Sequence, residues 1–328
     1  MSGARVPLLC FVLALGGLGL GRFGAEGAEP PQKPLRVGII GLDAHGLPWT
    51  QIVNGPKRPA ELGDMRITVA FPGGSPDIPQ SMEILARSVE PVRALGVEIA
   101  DSIEAVLAKS DAVMILSIDG RVHLAQARPV LAARKPVFID KPLAASLADA
   151  QEIFRLARQH GTPCFSSSAL RFAPGTQAIL KDSKVGPILG CDAWSPCPLE
   201  PHHPDFFWYG IHGVETLFTV MGPGCATVSR VYTDKFDVAV GVWGGGRIGI
   251  FRGTREGPHT YGAMVFGRQG AVQAGRFEGY EPLLVEIARF FRTGKAPVSP
   301  EETLEILAFM EAADRSLREG GRPVPLRK

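Results

Sequence analysis

Arg36-Val37-Gly38-Ile39-Ile40-Gly41-Leu42-Asp43-Ala44-His45-Gly46 is the stretch that decides the fold. Its first half is a short apolar run, the kind of strand that is buried on both faces of a parallel sheet. It ends at a glycine, and a helix is expected over 47–54, with Pro48 suited to the first turn and Gly55 to the end. Strand, glycine turn and helix in that order open a Rossmann-type unit.

Working outward, the same alternation repeats. Strands are expected over 66–71, 97–100, 112–118, 136–140 and 163–167. Helices are expected over 81–95, 103–109, 122–134 and 147–160. Asp101 or Ser102 caps the second of these, and Pro91 and Pro129 are expected to bend or break the helices that contain them. Strand–helix–strand repetition predicts a doubly wound parallel sheet. Beyond Ser168 the rhythm changes to consecutive strands over 228–233, 237–243, 247–252, 263–267 and 271–274, with helices over 209–221, 282–292 and 301–318. The expected class is α/β. A dinucleotide-binding domain over 34–168 precedes an α+β substrate and oligomerisation domain over 169–328, built on a mostly antiparallel open sheet. The boundary is placed near 166–174.

The chain has 328 residues, 45% hydrophobic and 21% charged, enough for two domains that each bury a core. A net charge of +2 with no basic run argues against nucleic-acid binding, which needs clustered Lys and Arg. Arg5, the apolar run 6–20, the small residues around Ala25-Glu26-Gly27 and then Pro30-Pro31 read as a signal peptide over 1–28. Cleavage near Gly27 or Ala28 leaves an exported protein, periplasmic or extracellular, with no membrane span. Apart from Cys10 in that segment, Cys164, Cys191, Cys197 and Cys225 are either buried thiols or, in an oxidising compartment, paired. No C-x-x-C spacing supports a zinc site.

A dinucleotide fingerprint over 41–46 would read G-x-G-x-x-G. The first glycine makes the turn, the second admits the pyrophosphate, and the third lets helix pack on strand. Gly41 and Gly46 are present, so Gly41, Leu42, Asp43 and Gly46 are the candidate cofactor turn. Asp43, however, puts a carboxylate where phosphates pass, which fits a modified site or a fold kept after cofactor loss. No acid ends the second strand, where Phe71-Pro72-Gly73-Gly74-Ser75 stands, so NAD and NADP are not distinguished. Ser75 and Asp77 are the loop residues near enough in sequence to substitute. Asp140-Lys141-Pro142-Leu143 follows the fifth strand, at the edge where parallel sheets bind ligands. Lys141 there suits polarisation of a substrate oxygen. His202-His203-Pro204-Asp205 and Trp208-Tyr209-Gly210-Ile211-His212-Gly213-Val214-Glu215 form the richest polar cluster, with His212 and Glu215 on one helical face. His202, His203, Asp205 and His212 are also a conceivable metal set, although the spacing matches no dedicated motif.

Together these segments resemble the glucose–fructose oxidoreductase / inositol dehydrogenase family, Gfo/Idh/MocA, from about Leu35 to the last helix. Val137-Phe138-Ile139-Asp140-Lys141-Pro142-Leu143-Ala144 looks like the family's E-K-P-L-A motif, with Asp140 for Glu. The stretch 208–215 is similar to its D-x-G-x-H-x-x-D helix start, matching at Gly210 and His212, with Glu215 for the last Asp and Trp208 in place of the first. The resemblance implies NAD or NADP beside Asp140 and Lys141, Lys141 and His212 as catalytic groups, and Arg171, Trp208 and Glu215 near the substrate. It also implies a homo-oligomer formed on the open sheet.

The leading expectation is an NAD(P)-dependent oxidoreductase acting on CH–OH groups of a sugar- or polyol-like substrate, with no metal. Asp43, the missing acid and Trp208 support an alternative: a non-redox carbohydrate- or partner-binding protein on the same scaffold, with Phe206, Phe207, Trp208 and Tyr209 stacking on a sugar. A third reading is a metal-assisted hydrolase or lyase using 202–205.

Overall fold

A computed structural model describes residues 34–326; the expected signal peptide lies outside them. The first sheet contains β1 (Arg36–Ile40), β2 (Arg66–Phe71), β3 (Glu98–Ile99), β4 (Ala112–Ile115), β5 (Val137–Asp140) and β6 (Cys164–Ser167). Its order is β3-β2-β1-β4-β5-β6, every pairing parallel, so the chain reverses direction of travel at β1. That is the doubly wound order, and it opens a crevice beyond the carboxyl ends of β1 and β4. β1 is hidden between two neighbours, which is why its sequence is apolar without alternation.

The connecting helices are α1 (Gly46–Asn54), α2 (Pro79–Ala94), α3 (Ile103–Lys109), α4 (His123–Ala132) and α5 (Leu147–His160). Ser102 and Ser146 cap α3 and α5 by accepting from Ala105 N–H and Asp149 N–H, satisfying donors the first turn leaves free. Neither helix is broken at its proline: α2 runs through Pro91 and α4 through Pro129. Each proline lies in its helix's last turn, so few residues follow the lost bond, and Arg87, whose carbonyl loses its donor to Pro91, is exposed.

The remainder comprises α6 (Pro174–Leu180), β7 (Ile188–Pro196), α7 (Asp205–Trp208), α8 (Ile211–Met221), β8 (Cys225–Tyr232), β9 (Phe236–Trp243), β10 (Ile248–Thr254), β11 (Gly262–Gly267), β12 (Ala271–Ala274), α9 (Glu281–Thr293), α10 (Pro300–Arg318) and β13 (Val324–Pro325). The second sheet has the order β12-β11-β7-β10-β9-β8-β13, antiparallel except where β10 runs parallel to β7. Strand β7 was not anticipated. Its inward residues Cys191, Ala193 and Ser195 are small so that α8 can lie close, and a small-residue face carries little hydropathic signal. Helix α9, late in the sequence, packs Leu283, Leu284, Ile287 and Phe290 into one cluster with Val37, Ile39 and Trp49 of the first sheet's layer. Among the described residues no helix is long and apolar enough to cross a membrane.

Candidate functional site

The turn after β1 is built as the sequence requires at its ends. Gly41 has φ +95°, and a Cβ on it would lie 2.4 Å from the backbone nitrogen of Ser117 beyond β4, so only glycine fits. At the middle position Asp43 is fully buried, and its Oδ2 accepts a 2.6 Å hydrogen bond from Ser81 Oγ on α2. Burial pushes the Asp43 carboxyl up. Ser81 Oγ also accepts from Ser75 N–H at 2.8 Å, and Ser75 Oγ donates to Asp119 Oδ2 at 2.7 Å. Arg121 then clamps Asp119 and Asp77 together. Leu42 N–H, one of the turn's free donors in principle, bonds Pro72 O at 2.8 Å. A Cβ on Gly73 would sit 3.2 Å from Gly41 Cα, which shows how closely the loop after β2 lies on the turn.

In a dinucleotide site the pyrophosphate crosses this turn and the adenosine rests between the ends of the strands. Here an acid stands at the middle fingerprint position, bonded to Ser81, while Ser75 and Asp77 are engaged by Asp119 and Arg121. These residues do not fit the ADP half of NAD or NADP.

The other half of the crevice is open. A cavity of about 420 Å³ lies between β5, the start of α1, α2 and the α7–α8 segment. Asp140, Lys141 and His212 line it together. Gly41, Leu42, Asp43 and Gly46 do not. His45 lines it too, and its Nδ1 lies 2.5 Å from Asp140 Oδ2. The His45 ring stacks flat on Trp49, 5.0 Å between centroids and 2° between planes, and meets Tyr280 at 5.0 Å. Asp140 is buried, which alone would raise its carboxyl, but His45 and Lys141 hold it below the usual range. Its Oδ1 accepts from Lys141 N–H at 2.9 Å. Lys141 is itself buried, with Nζ 5.9 Å from the centre of the Tyr209 ring.

His212 Nδ1 lies 2.9 Å from Ser168 Oγ. Burial first, and then the nearby charge of Lys141, pushes its pKa well down, so the ring is neutral. Tyr209 and Tyr261 pack against the His212 ring, hydroxyl to hydroxyl at 2.8 Å, with His259 Nε2 at 3.0 and 3.2 Å from the two oxygens. Burial raises both phenols, and Tyr280 up to about 12, so all three stay protonated. The lining mixes the aromatic rings of Trp49, Tyr209, Tyr261 and Tyr280 with the polar groups of Asp140 and Lys141.

Three expected substrate residues stand elsewhere. Arg171 Nε donates to Glu215 Oε1 at 2.8 Å and its Nη1 to Glu302 Oε1 at 2.7 Å, while Ser167 Oγ donates to the same Glu215 oxygen at 2.6 Å. This buried bridge ties α8 to α10 and does not line the cavity. Trp208 is buried in α7 against His203, 5.2 Å between centroids, and Phe206 and Phe207 are buried beside it. Of that aromatic quartet only Tyr209 reaches the cavity.

The suggested metal set does not converge. His202 pairs with Glu200, His203 lies 3.9 Å from Asp119, Asp205 bonds Arg230, and His212 faces the cavity. Ligand atoms of Cys197, Asp205 and Asp237 do gather within 4.8 Å, but Arg230 and Arg255 already neutralise those carboxylates. Cys164, Cys191 and Cys197 are free buried thiols pushed up to about 12 by burial, and Cys225 is buried as well. Sequence reasoning missed His45, Ser168, His259, Tyr261, Phe277 and Tyr280 as cavity residues. His45 alone carried a signal, as a polar ring inside the fingerprint.

Residues 35–168 match the family model GFO_IDH_MocA, described as an oxidoreductase family with an NAD-binding Rossmann fold. No curated protein matches the chain in sequence. Among solved structures, a Sinorhizobium meliloti protein assigned as a myo-inositol dehydrogenase superposes with a TM-score of 0.74 at 20% identity, covering 89% of this chain and 100% of its own. GenD2 from gentamicin A biosynthesis, in complex with NAD, gives 0.73 at 16%, covering 91% and 98%. Myo-inositol dehydrogenase from Lactobacillus casei, with NAD(H) and myo-inositol, gives 0.72 at 16%, covering 90% and 98%. At these identities the likeness is one of fold.

Proposed function

Because the Rossmann domain at residues 35–168 belongs to the Gfo/Idh/MocA oxidoreductase family, we propose that this chain binds a sugar- or polyol-like ring in the cavity and acts on it by proton transfer. One observation carries this reading: the Lys141 ammonium, the His45–Asp140 pair and neutral His212 converge on one cavity with aromatic walls. Its size, about 420 Å³, falls in the range of small-molecule sites, about 300–1,000 Å³. Aromatic faces suit the C–H surface of a carbohydrate, and the polar groups of the lining suit its hydroxyls. The inositol bound by the Lactobacillus casei protein is a ligand of this chemical class. The test is calorimetric titration with a panel of monosaccharides, cyclitols and their keto forms. Binding that Lys141→Ala weakens supports the reading; no binding across the panel removes it.

A second reading is NAD(P)-dependent oxidation at a CH–OH group. It is favoured by Lys141 and His212 lining the same cavity, the juxtaposition that family resemblance implies. Denaturing the purified protein and assaying released nicotinamide separates the two. We further propose that the protein is exported after loss of residues 1–28, which N-terminal sequencing of the mature form tests. Self-association through the second sheet is proposed from its exposed apolar residues, including Leu189, Val242, Ile248 and Phe266; sedimentation of the intact protein tests it.

A further inference from the structure

We propose that His45 and Asp140 form a proton-transfer dyad that removes a proton from the carbon next to a sugar carbonyl, with the Lys141 ammonium taking the oxygen. The inference rests on the reading above, that a sugar-like ring enters this cavity.

The ionised Asp140 only accepts hydrogen bonds, so the 2.5 Å contact fixes the proton on His45 Nδ1. That leaves Nε2 as the ring's base, and it makes no hydrogen bond to any described residue. A carboxylate behind an imidazole fixes its tautomer and stabilises the imidazolium that forms when Nε2 takes a proton. The stack on Trp49 and the contact with Tyr280 hold the ring in one plane. Asp140 is buried, and burying that charge is costly unless it is paired. Here the costly group is spent on a side chain that lines the cavity.

Lys141 follows Asp140 directly and lines the same cavity, so base and cation present themselves to one ligand. In the step, the C–H bond next to the carbonyl breaks and its proton passes to Nε2. The freed pair forms a carbon–carbon double bond, and the carbonyl π pair moves to oxygen, where the ammonium stabilises it. Return of the proton regenerates the dyad. Nothing is oxidised or reduced overall, so the step needs no dinucleotide, in keeping with the closed ADP half. The reaction class is exchange or epimerisation at that carbon.

The probes are myo-inosose and D-fructose in D2O, with proton NMR following deuterium uptake at the carbons flanking the carbonyl, and calorimetry following binding of the same probes. Wild-type protein is expected to bind at least one probe and to speed exchange. His45→Ala should slow it by about 100-fold or more in protein that still folds, as circular dichroism checks, and added imidazole should restore part of the rate. Asp140→Asn, which keeps the volume, should slow exchange and shift its pH profile. Failure of every probe to bind overturns both readings. Binding without exchange, or exchange unchanged in folded His45→Ala, overturns the dyad alone.

Discussion

Asp43 Oδ2 and Ser81 Oγ lie 2.6 Å apart, both residues fully buried, and this bond pins the start of α2 to the turn that follows β1. In a dinucleotide site those groups would border a pyrophosphate. In this chain they satisfy one another.

The first prediction concerns that closure. Wild-type protein should carry no nicotinamide after purification and should show no saturable NAD(H) or NADP(H) binding by fluorescence titration up to millimolar concentration. Stoichiometric release on denaturation would reverse the conclusion that the ADP half does not fit. The carboxyl also makes a pH statement. Its folded pKa lies above its unfolded one, so its contribution to stability is complete below the ordinary Asp range and fades as pH rises through the folded value. Asp43→Asn should therefore gain stability relative to wild type at neutral pH and lose that advantage in acid.

Arg171 is predicted to be a strut. Arg171→Ala leaves Glu215 and Glu302 facing each other without their cation, and removing one partner of a buried ion network costs about 3–5 kcal/mol. Urea unfolding measures this. A loss below about 1 kcal/mol, the surface-pair range, combined with abolished ligand binding, would return Arg171 to the substrate site.

A second buried network gives a different pH signature. Arg230 meets Asp205, Asp237 and Asp314, with Arg255 on Asp237. Burial, with Asp205 adding repulsion, raises the Asp314 carboxyl to about 7 against the opposing pull of Arg230 and Arg318. This group's contribution is complete below its unfolded value and is lost as pH climbs through about 7. Melting scans between pH 5 and 9 should show wild type falling more steeply than Asp314→Asn; parallel curves would contradict it.

His212 provides the fourth prediction. Its ring is neutral down through mildly acid pH, so ligand affinity should not change between pH 5.5 and 8 on its account. His212→Ala should weaken sugar binding about tenfold by removing one buried partner's hydrogen bonds (about 1.5 kcal/mol). A binding step centred near pH 6.5 that vanishes in His212→Ala would show an imidazole titrating freely.

Much of the scaffold was legible in sequence because its signals are local. The β1 run, the Gly41 turn, the serine caps of α3 and α5 and the alternation through Ser167 each depend on neighbours a few residues away. Strand β7 was not legible: its inner face of Cys191, Ala193 and Ser195 is dictated by α8, which lies across it. Arg171, Trp208 and Glu215 looked like site residues because polar and aromatic side chains beside a motif read alike whether they face ligand or one another.

The sequence by itself determined that a glycine-turned parallel sheet would form, that Asp43 departs from the phosphate fingerprint, and that Lys141 and His212 merit attention. Only the tertiary structure decided what Asp43 does, by bringing Ser81 to it from α2. It also joined His45 to Asp140 across 95 residues of chain and set both beside Lys141 at the cavity. The physical reason is the same in each case. Turn and strand propensities act over a few residues, whereas a buried carboxylate is stabilised only by whichever donor the packed fold delivers to it.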